Sequence, residues 1–100
     1  MKASPITLSH TALSGVVTPL SATSKLVASF LVQAKSGNTT AVKFGVIGAG
    51  NQPVDLSSGP ITYHPIAGGV FGVPYDLADF YFKPGADNEG VDVIATQLIS

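Results

Sequence analysis

The stretch most suggestive of chemistry is VKFGVIGAGNQP, Val42–Pro53, in which an apolar run leads into Gly48-x-Gly50. This order opens the dinucleotide-binding fold, where glycines let the backbone approach a pyrophosphate at a helix N-terminus. The third small residue of that pattern falls on Pro53, a proline-containing Ser-Ser-Gly segment stands in place of the helix, and the ribose-binding acid expected about 20 residues on is missing. We therefore interpret the stretch as a strand that ends in a glycine loop, and we expect no cofactor.

The histidines and acids do not form a catalytic or metal-binding pattern. His10 and His64 lie in separate segments without HxH or HExxH spacing, so we expect no metal site. The acidic groupings are Asp76 with Asp79, and the segment Asp87–Glu89. Paired carboxylates serve glycoside hydrolysis, but a chain of 100 residues has little room for the cleft that such sites need. We expect Asp76 to cap a turn and Asp87–Glu89 to lie in solvent at a hairpin tip. With no G-x-S-x-G motif either, we expect no enzyme.

The composition argues against nucleic-acid and membrane partners. Charged residues make up 11% of the chain and the net charge is −1, with five lysines and no arginine. Binding to phosphates needs a basic patch, which scattered lysines do not make. No run approaches the roughly 18 apolar residues of a membrane span, and the N-terminus lacks the apolar core of a signal peptide. An uncharged surface of Ser, Thr, Gly and Asn opposes association only weakly, which favours a protein that works in an assembly.

Short apolar and aromatic runs between turn residues predict an all-β chain. The 11 glycines and 7 prolines separate these runs at intervals of about 8–12 residues, as in sandwiches and barrels. Besides the run treated next, we assign to strands the segments Thr39–Ile47, Pro60–His64, Gly69–Pro74, Asp79–Lys83 and Gly90–Leu98. Ile6–Ser9 is either a first strand or an extended arm, and Gly15–Leu20 is a second short piece. In Gly90–Leu98, Val91, Val93 and Ala95 fall on one face. A single helical turn is expected at Asp76–Asp79.

KLVASFLVQAK, Lys25–Lys35, is the run in which a helix competes with a strand. Its apolar spacing suits both, but the SGN turn and the alternating run Thr39–Ile47 favour a strand–turn–strand hairpin. A second hairpin is predicted to join Asp79–Lys83 to Gly90–Leu98 through the loop Pro84–Gly90.

The expected fold is therefore all-β: a small antiparallel β-sandwich or jelly-roll-like barrel with an extended N-terminal arm. Residues 1–25 are rich in Ser and Thr and weakly patterned, so they form either an arm or the first short strands. Residues 26–100 form the β-sandwich domain.

Two longer stretches, Phe30–Gly45 and Pro65–Thr96, resemble a recurrent small virion protein of tailed bacteriophages. In that family an apolar strand ends in Gln-Ala, an Asn-Thr turn leads into a second strand, and a G…F…P..DL…Y run precedes a Gly-Val hairpin. This chain follows the pattern with FLVQAKSGNTTAVKFG and with GGVFGVPYDLADFYFKPGADNEGVDV. It differs in the long connection Val46–Gly59, which we expect to be an additional contact loop.

The resemblance implies a non-enzymatic structural protein without cofactors. Its implied role is head decoration (cement): binding the outside of a phage capsid after synthesis in the host cytoplasm, with the major capsid protein and neighbouring copies, as in a homotrimer, for partners. The alternatives are a tail, baseplate or fibre accessory protein, and a glycan- or host-surface-binding module that uses the tyrosines. The residues expected at an interface are Ile6, Leu8, Asn51, Gln52, Val54, Tyr63, Tyr75 and Tyr81.

Overall fold

The computed structural model describes residues 2–48, 50–56, 61–63 and 74–99, and regular structure in this part of the chain is almost entirely β-strand. The strands are β1 Lys2–Ala12, β2 Thr18–Pro19, β3 Leu26–Ala34, β4 Lys43–Val46, β5 Val54–Asp55, β6 Ile61–Tyr63, β7 Tyr75–Asp76, β8 Phe80–Lys83 and β9 Glu89–Ile99. One 3₁₀ turn, Leu77–Asp79, precedes β8. The all-β prediction and the single helical turn are confirmed, whereas the run predicted at 69–73 and His64 lie outside the described residues.

The strands form two antiparallel sheets that pack as a sandwich. The larger sheet has the order β1-β9-β3-β6, with β7 also paired to β3, and the smaller sheet has the order β2-β8-β4-β5. Between them lies one apolar core, made of Leu20, Val27, Phe30, Val32, Val42, Phe44, Leu56, Leu77, Phe80, Phe82, Val91, Val93 and Ala95. The predicted inward face of β9 is therefore the core face of the larger sheet.

Aromatic rings join the two sheets at the centre of this core. The ring of Phe30 on β3 lies 5.0 Å from that of Phe80 and 6.5 Å from that of Phe44, both edge-on. Phe44 and Phe80 stack on each other at 6.0 Å within the smaller sheet. Aromatic pairs of this kind add about 0.5–1.5 kcal/mol each to the free energy gained from burial.

The predicted hairpin between β3 and β4 is wrong, although both strands exist. β3 pairs with β9, β6 and β7 in the larger sheet, whereas β4 pairs with β8 and β5 in the smaller one. The connecting turn is bound to the start of β9 instead: the Asn38 side chain donates to the Gly90 carbonyl at 2.9 Å and accepts from the Gly90 N–H at 3.3 Å. The chain consequently crosses from one sheet to the other as an arch.

The predicted hairpin between β8 and β9 is wrong for the same kind of reason. β8 belongs to the smaller sheet and β9 to the larger one. Their connection is fixed to the end of β1, because the Gly15 N–H donates to the Pro84 carbonyl at 2.9 Å and the Asn88 N–H to that of Ala12 at 3.0 Å. Asn88 adopts a positive φ of 64°, a conformation that asparagine tolerates better than most residues.

A β-bulge decides which side chains of β3 face the core. The register of β3 against β9 shifts between Val27 and Ser29. Strict alternation would place Val27 on the face opposite Phe30 and Val32, but the additional residue switches the face at this point. All three side chains are therefore buried.

Of the two possibilities for residues 1–25, strands are found and the extended arm is not. β1 pairs with β9 along its whole length, from Lys2 opposite Ile99 to Ala12 opposite Glu89. Its exposed residues alternate with half-buried ones that pack against the core, among them Ile6 and Leu8. This period of two suits the edge of a sandwich, which explains why the segment lies on the sheet.

Candidate interaction surfaces

The most extensive candidate surface is the solvent side of the larger sheet, which we call the outer face. It consists of Pro5, Thr7 and Ser9 on β1, Asp92, Ile94 and Thr96 on β9, and Ser29, Leu31 and Gln33 on β3. The register aligns these residues in rows of three, with Ile94 between Thr7 and Leu31. Ile94 is 55% exposed, so the middle of the face is aliphatic and is surrounded by hydroxyl groups.

The carboxylate of Asp92 is the acidic group of the outer face, and its charge is balanced within the protein. Lys35 Nζ lies 2.7 Å from Asp92 Oδ1, and Ser9 Oγ donates to the same oxygen at 2.9 Å. The hydrogen bond from Lys35 is the main reason that the pKa of Asp92 lies below its usual value, while partial burial acts in the opposite direction. The nine residues of the face therefore present no unpaired charge.

Glu89, predicted to lie in solvent, is instead buried and only 6% exposed. Its carboxylate accepts the main-chain N–H groups of Thr39 at 2.5 Å and of Thr40 at 3.1 Å, and it also accepts both threonine hydroxyls. These bonds, led by the Thr40 hydroxyl, lower the pKa of Glu89 to about 2. Because both carboxylate oxygens are occupied, Glu89 anchors the arch between β3 and β4 and is unsuited to act as a base.

The carboxylates of Asp76 and Asp87 also bind main-chain groups of the protein. Asp76 caps the 3₁₀ turn, as predicted: its Oδ1 accepts the Ala78 N–H at 3.0 Å and the Lys25 N–H at 3.0 Å, and its Oδ2 accepts the Ser24 hydroxyl at 2.5 Å. Burial alone would raise the pKa of Asp76, but these hydrogen bonds outweigh it and hold the pKa below its usual value. Asp87 is exposed and accepts the Ser14 N–H at 2.8 Å.

The loop after β4 is shaped by the two polar residues that we expected to contact a partner. Gln52 is only 5% exposed, and its Nε2 donates to the carbonyls of Val46 and Gly48, each at 2.8 Å. Asn51 is exposed, and its Nδ2 donates to the Ile47 carbonyl at 2.9 Å. Both side chains hold the loop from within, and the buried Gln52 Oε1 makes no hydrogen bond within the described residues.

The apolar residues beside this loop are the ones that face solvent. Val46 is 48% exposed and Ile47 is 58% exposed, whereas Val54 is half-buried against the core. The sequence pattern indicates Asn51, Gln52 and Val54 as contact residues, but not Val46 or Ile47. The available signal was an apolar pair placed directly before a glycine turn, where a strand ends.

Tyr75 and Tyr81, the two tyrosines whose side chains the structure describes, lie in different surroundings. Tyr75 is half-buried, with its ring 6.0 Å from that of Phe30 and 5.7 Å from that of Phe80. Tyr81 alternates with the buried Phe80, so it lies on the opposite side of the smaller sheet. Tyr63 is opposite Phe30 in β6, and its side chain lies outside the described part of the chain.

Ile6 and Leu8 lie on β1 with their side chains directed inward, half-buried against the core. His10 follows in the same alternation, and its ring centroid lies 6.4 Å from that of Phe82. Its Nε2 is buried and makes no hydrogen bond within the described residues. The inward side of β1 is therefore packed, but only partly covered.

A shallow depression lies beside the β3–β4 arch. The depression has a volume of about 410 Å³, and Lys35, the charged residue in its lining, is bound to Asp92. Among the described residues, no group of three or more His, Asp or Glu side chains is placed to hold a metal ion. No helix in the described ranges is long and apolar enough to cross a membrane.

Comparison with known proteins assigns neither a family nor a function to the chain. No family model, curated protein or solved structure matches the chain. The case for a function depends on the resemblance noted in the sequence and on the surfaces described above.

Proposed function

We propose that this protein is a decoration (cement) protein of a tailed-bacteriophage virion, which binds the outside of the capsid through its outer face and stabilises the shell. The observation that carries the proposal is that face: three adjacent long strands with Ile94 at the centre and no unpaired charge. The resemblance of Phe30–Gly45 and Pro65–Thr96 to small virion proteins indicates the kind of particle.

The chemistry of the outer face suits permanent contact with another protein. Burying a charge in an interface costs several kcal/mol unless it is paired, and interface cores are accordingly depleted in charged residues. Asp92 is already paired with Lys35, so its charge needs no partner from the capsid. The hydroxyls of Thr7 and Thr96 can donate and accept hydrogen bonds, which lets them pair with either type of group on a facing surface.

The size of the outer face fits a repeated contact of moderate strength. Three strands spaced about 4.8 Å apart, each about nine residues long at about 3.3 Å per residue, give an area on the order of 400 Å². This is about half of the roughly 800 Å² that each partner contributes to a standard interface. The neighbouring Leu26, at the start of β3, is 45% exposed and extends the apolar contact.

A binding experiment with a matched pair of isoleucine variants tests the proposal. Purified protein is mixed with undecorated expanded heads of the phage that carries the sequence, and bound protein is measured after sedimentation. We expect saturable binding at a fixed ratio to the capsid subunits. Ile94→Asp places an unpaired carboxylate in the contact and is expected to weaken binding at least about tenfold, since several kcal/mol are lost.

Ile47→Asp is the control. Ile47 is 58% exposed, nearly the same as Ile94 at 55%, but Ile47 lies on a loop outside the outer face. It is expected to bind like the wild type. Unsaturable binding, or equal weakening by the two variants, would contradict the proposal. Antibody labelling of intact virions separates the alternatives, since label on the tail, baseplate or fibres would place the protein outside the head.

A further inference from the structure

β1 leaves a long sheet edge without a partner in the described part of the chain. It is the terminal strand of the larger sheet, paired with β9 on one side only, and it extends from Lys2 to Ala12. The edge strands of the smaller sheet, β2 and β5, are two residues long. An unpaired strand of this length presents a row of main-chain donors and acceptors to any other strand.

The hydrogen bonds of Gly90 identify the β1 residues whose main-chain N–H and C=O groups point to the unpaired edge. Its carbonyl accepts the Lys35 N–H at 3.0 Å and its N–H donates to the Asn38 side chain, so both groups point towards β3 and the turn after it. Thr11, the partner of Gly90 on β1, is therefore in a non-hydrogen-bonded pair. By alternation, the residues that direct their main-chain groups to the free edge are Pro5, Thr7, Ser9 and Thr11.

This edge lacks most of the features that keep edge strands apart. Natural edges are protected by charged side chains, prolines or bulges. The run from Ile6 to Ala12 contains no Lys, Arg, Asp or Glu, and Pro5 removes only its own N–H. On the inward side, Ile6 and Leu8 remain half-buried. The edge is therefore uncharged, and the apolar side chains beneath it are incompletely covered.

We propose that this edge binds a second copy of the chain, with the two β1 strands antiparallel across a two-fold axis at Ser9. In this register Ser9 faces Ser9 of the second copy, and Thr7 faces Thr11 of the second copy. Each N–H of these residues then donates to a carbonyl across the axis. Pro5 lies outside the paired run, and the larger sheets of the two copies join into one continuous sheet.

Side-chain chemistry favours a second copy as the occupant. On the outer side, the hydroxyls of Thr7 and Thr11 face each other, and such cross-strand pairs stabilise antiparallel sheets, while the Ser9 hydroxyl stays bound to Asp92 and Lys35 of its own chain. On the inner side, Leu8 faces His10 of the second copy, and Ile6 faces Ala12 of the second copy, which covers the half-buried groups. No charge repels its symmetry mate along this run, and the whole chain carries a net charge of −1. The inference needs only the β1 edge and does not rest on the proposed function.

The oligomeric state and one pair of variants test the proposal. Sedimentation equilibrium is expected to give twice the 10.2 kDa mass of the chain. Thr7→Pro removes an N–H at the free edge, as Pro5 already does on the same strand, and is expected to raise the dimer dissociation constant at least about tenfold. Thr7→Val keeps the N–H and a β-branched shape, so it should dimerise like the wild type. A monomeric wild type, or equal constants for the two variants, would overturn the proposal.

Amide hydrogen exchange gives a readout that does not depend on a substitution. In the dimer, the N–H groups of Thr7, Ser9 and Thr11 should exchange slowly and become fast on dilution below the dissociation constant. Those of Ile6, Leu8 and His10 are bonded to β9 and should stay slow in both states. Fast exchange of the first set at every concentration would contradict the pairing. Protection of that set only when capsids are added would assign the edge to a capsid strand and overturn the second-copy proposal.

Discussion

Gly45, in the middle of β4, is expected to tolerate no side chain. A Cβ added to it would overlap the carbonyl oxygen of Asn51 and lie 2.7 Å from Gln52 Cα. Carbon atoms in contact prefer separations of about 3.5–4.0 Å, so the loop that covers Gly45 would have to move outward by about 1 Å. Gly45→Ala therefore adds one methyl group to β4 and displaces the loop that covers it.

The cost of this movement can be worked out from the hydrogen bonds that hold the loop to β4. The Val46 N–H donates to the Asn51 carbonyl at 3.1 Å, and Gln52 Nε2 donates to the carbonyls of Val46 and Gly48, each at 2.8 Å. Each bond contributes about 0.5–1.5 kcal/mol, so the loss of all three lowers the free energy of unfolding by about 1.5–4.5 kcal/mol. For a domain of this size the expected fall in Tm is roughly 6–36 °C.

Urea unfolding of Gly45→Ala and a matched glycine variant measures this difference. At Gly37, in the turn after β3, an added Cβ has no neighbour within 4 Å. Gly37→Ala should therefore change the free energy of unfolding by less than about 1 kcal/mol, and towards higher stability if the unfolded chain loses entropy. Equal unfolding midpoints with equal m-values for the two variants would refute the packing that we describe around Gly45.

Three further predictions concern the carboxylates. The pKa of Glu89 is about 2 in the folded protein and about 4.3 in an unfolded chain, so its stabilisation is complete above about pH 5 and is lost as the pH falls through 2; Glu89→Gln should remove this pH dependence from urea midpoints. Asp76→Ala should cost about 0.5–2 kcal/mol of unfolding free energy through the lost cap, whereas exposed Asp79→Ala should cost little. Lys35→Met should raise the pKa of Asp92 in an NMR titration, with a stability loss below about 1 kcal/mol because the pair is partly exposed. The first prediction is contradicted if the urea midpoints of Glu89→Gln keep the pH dependence of the wild type. The second is contradicted if the two aspartate variants lose equal unfolding free energy, and the third if the pKa of Asp92 does not shift in Lys35→Met.

The strands of this protein could be predicted from local patterns, but their partners could not. The alternation of Val91, Val93 and Ala95 is a property of one segment, and it correctly identified the inward face of β9. Whether the chain turns back within a sheet or crosses to the other depends on contacts distant in sequence. Glu89 binding Thr39 and Thr40 is one such contact, and nothing near either segment indicates it.

The candidate interaction residues divide in a similar way. Ile6 and Leu8 are expected at an interface as residues of an N-terminal arm, but the structure places them on β1, whose outer edge has no partner among the described residues. Asn51 and Gln52 are expected at an interface as residues of the central loop, but their amides hold that loop internally. Ile94 was missed, although it is the aliphatic residue between Asp92 and Thr96 on the solvent face of β9 and was recognisable from the alternation.

Hydroxyl-radical footprinting of the protein on undecorated expanded heads tests the proposed function most directly. If the outer face binds the capsid, Ile94 and Leu31 should lose reactivity when the protein is bound, while Ile47 should keep the reactivity that it has in free solution. Ile94 remaining as reactive on the heads as in the free protein would contradict the account.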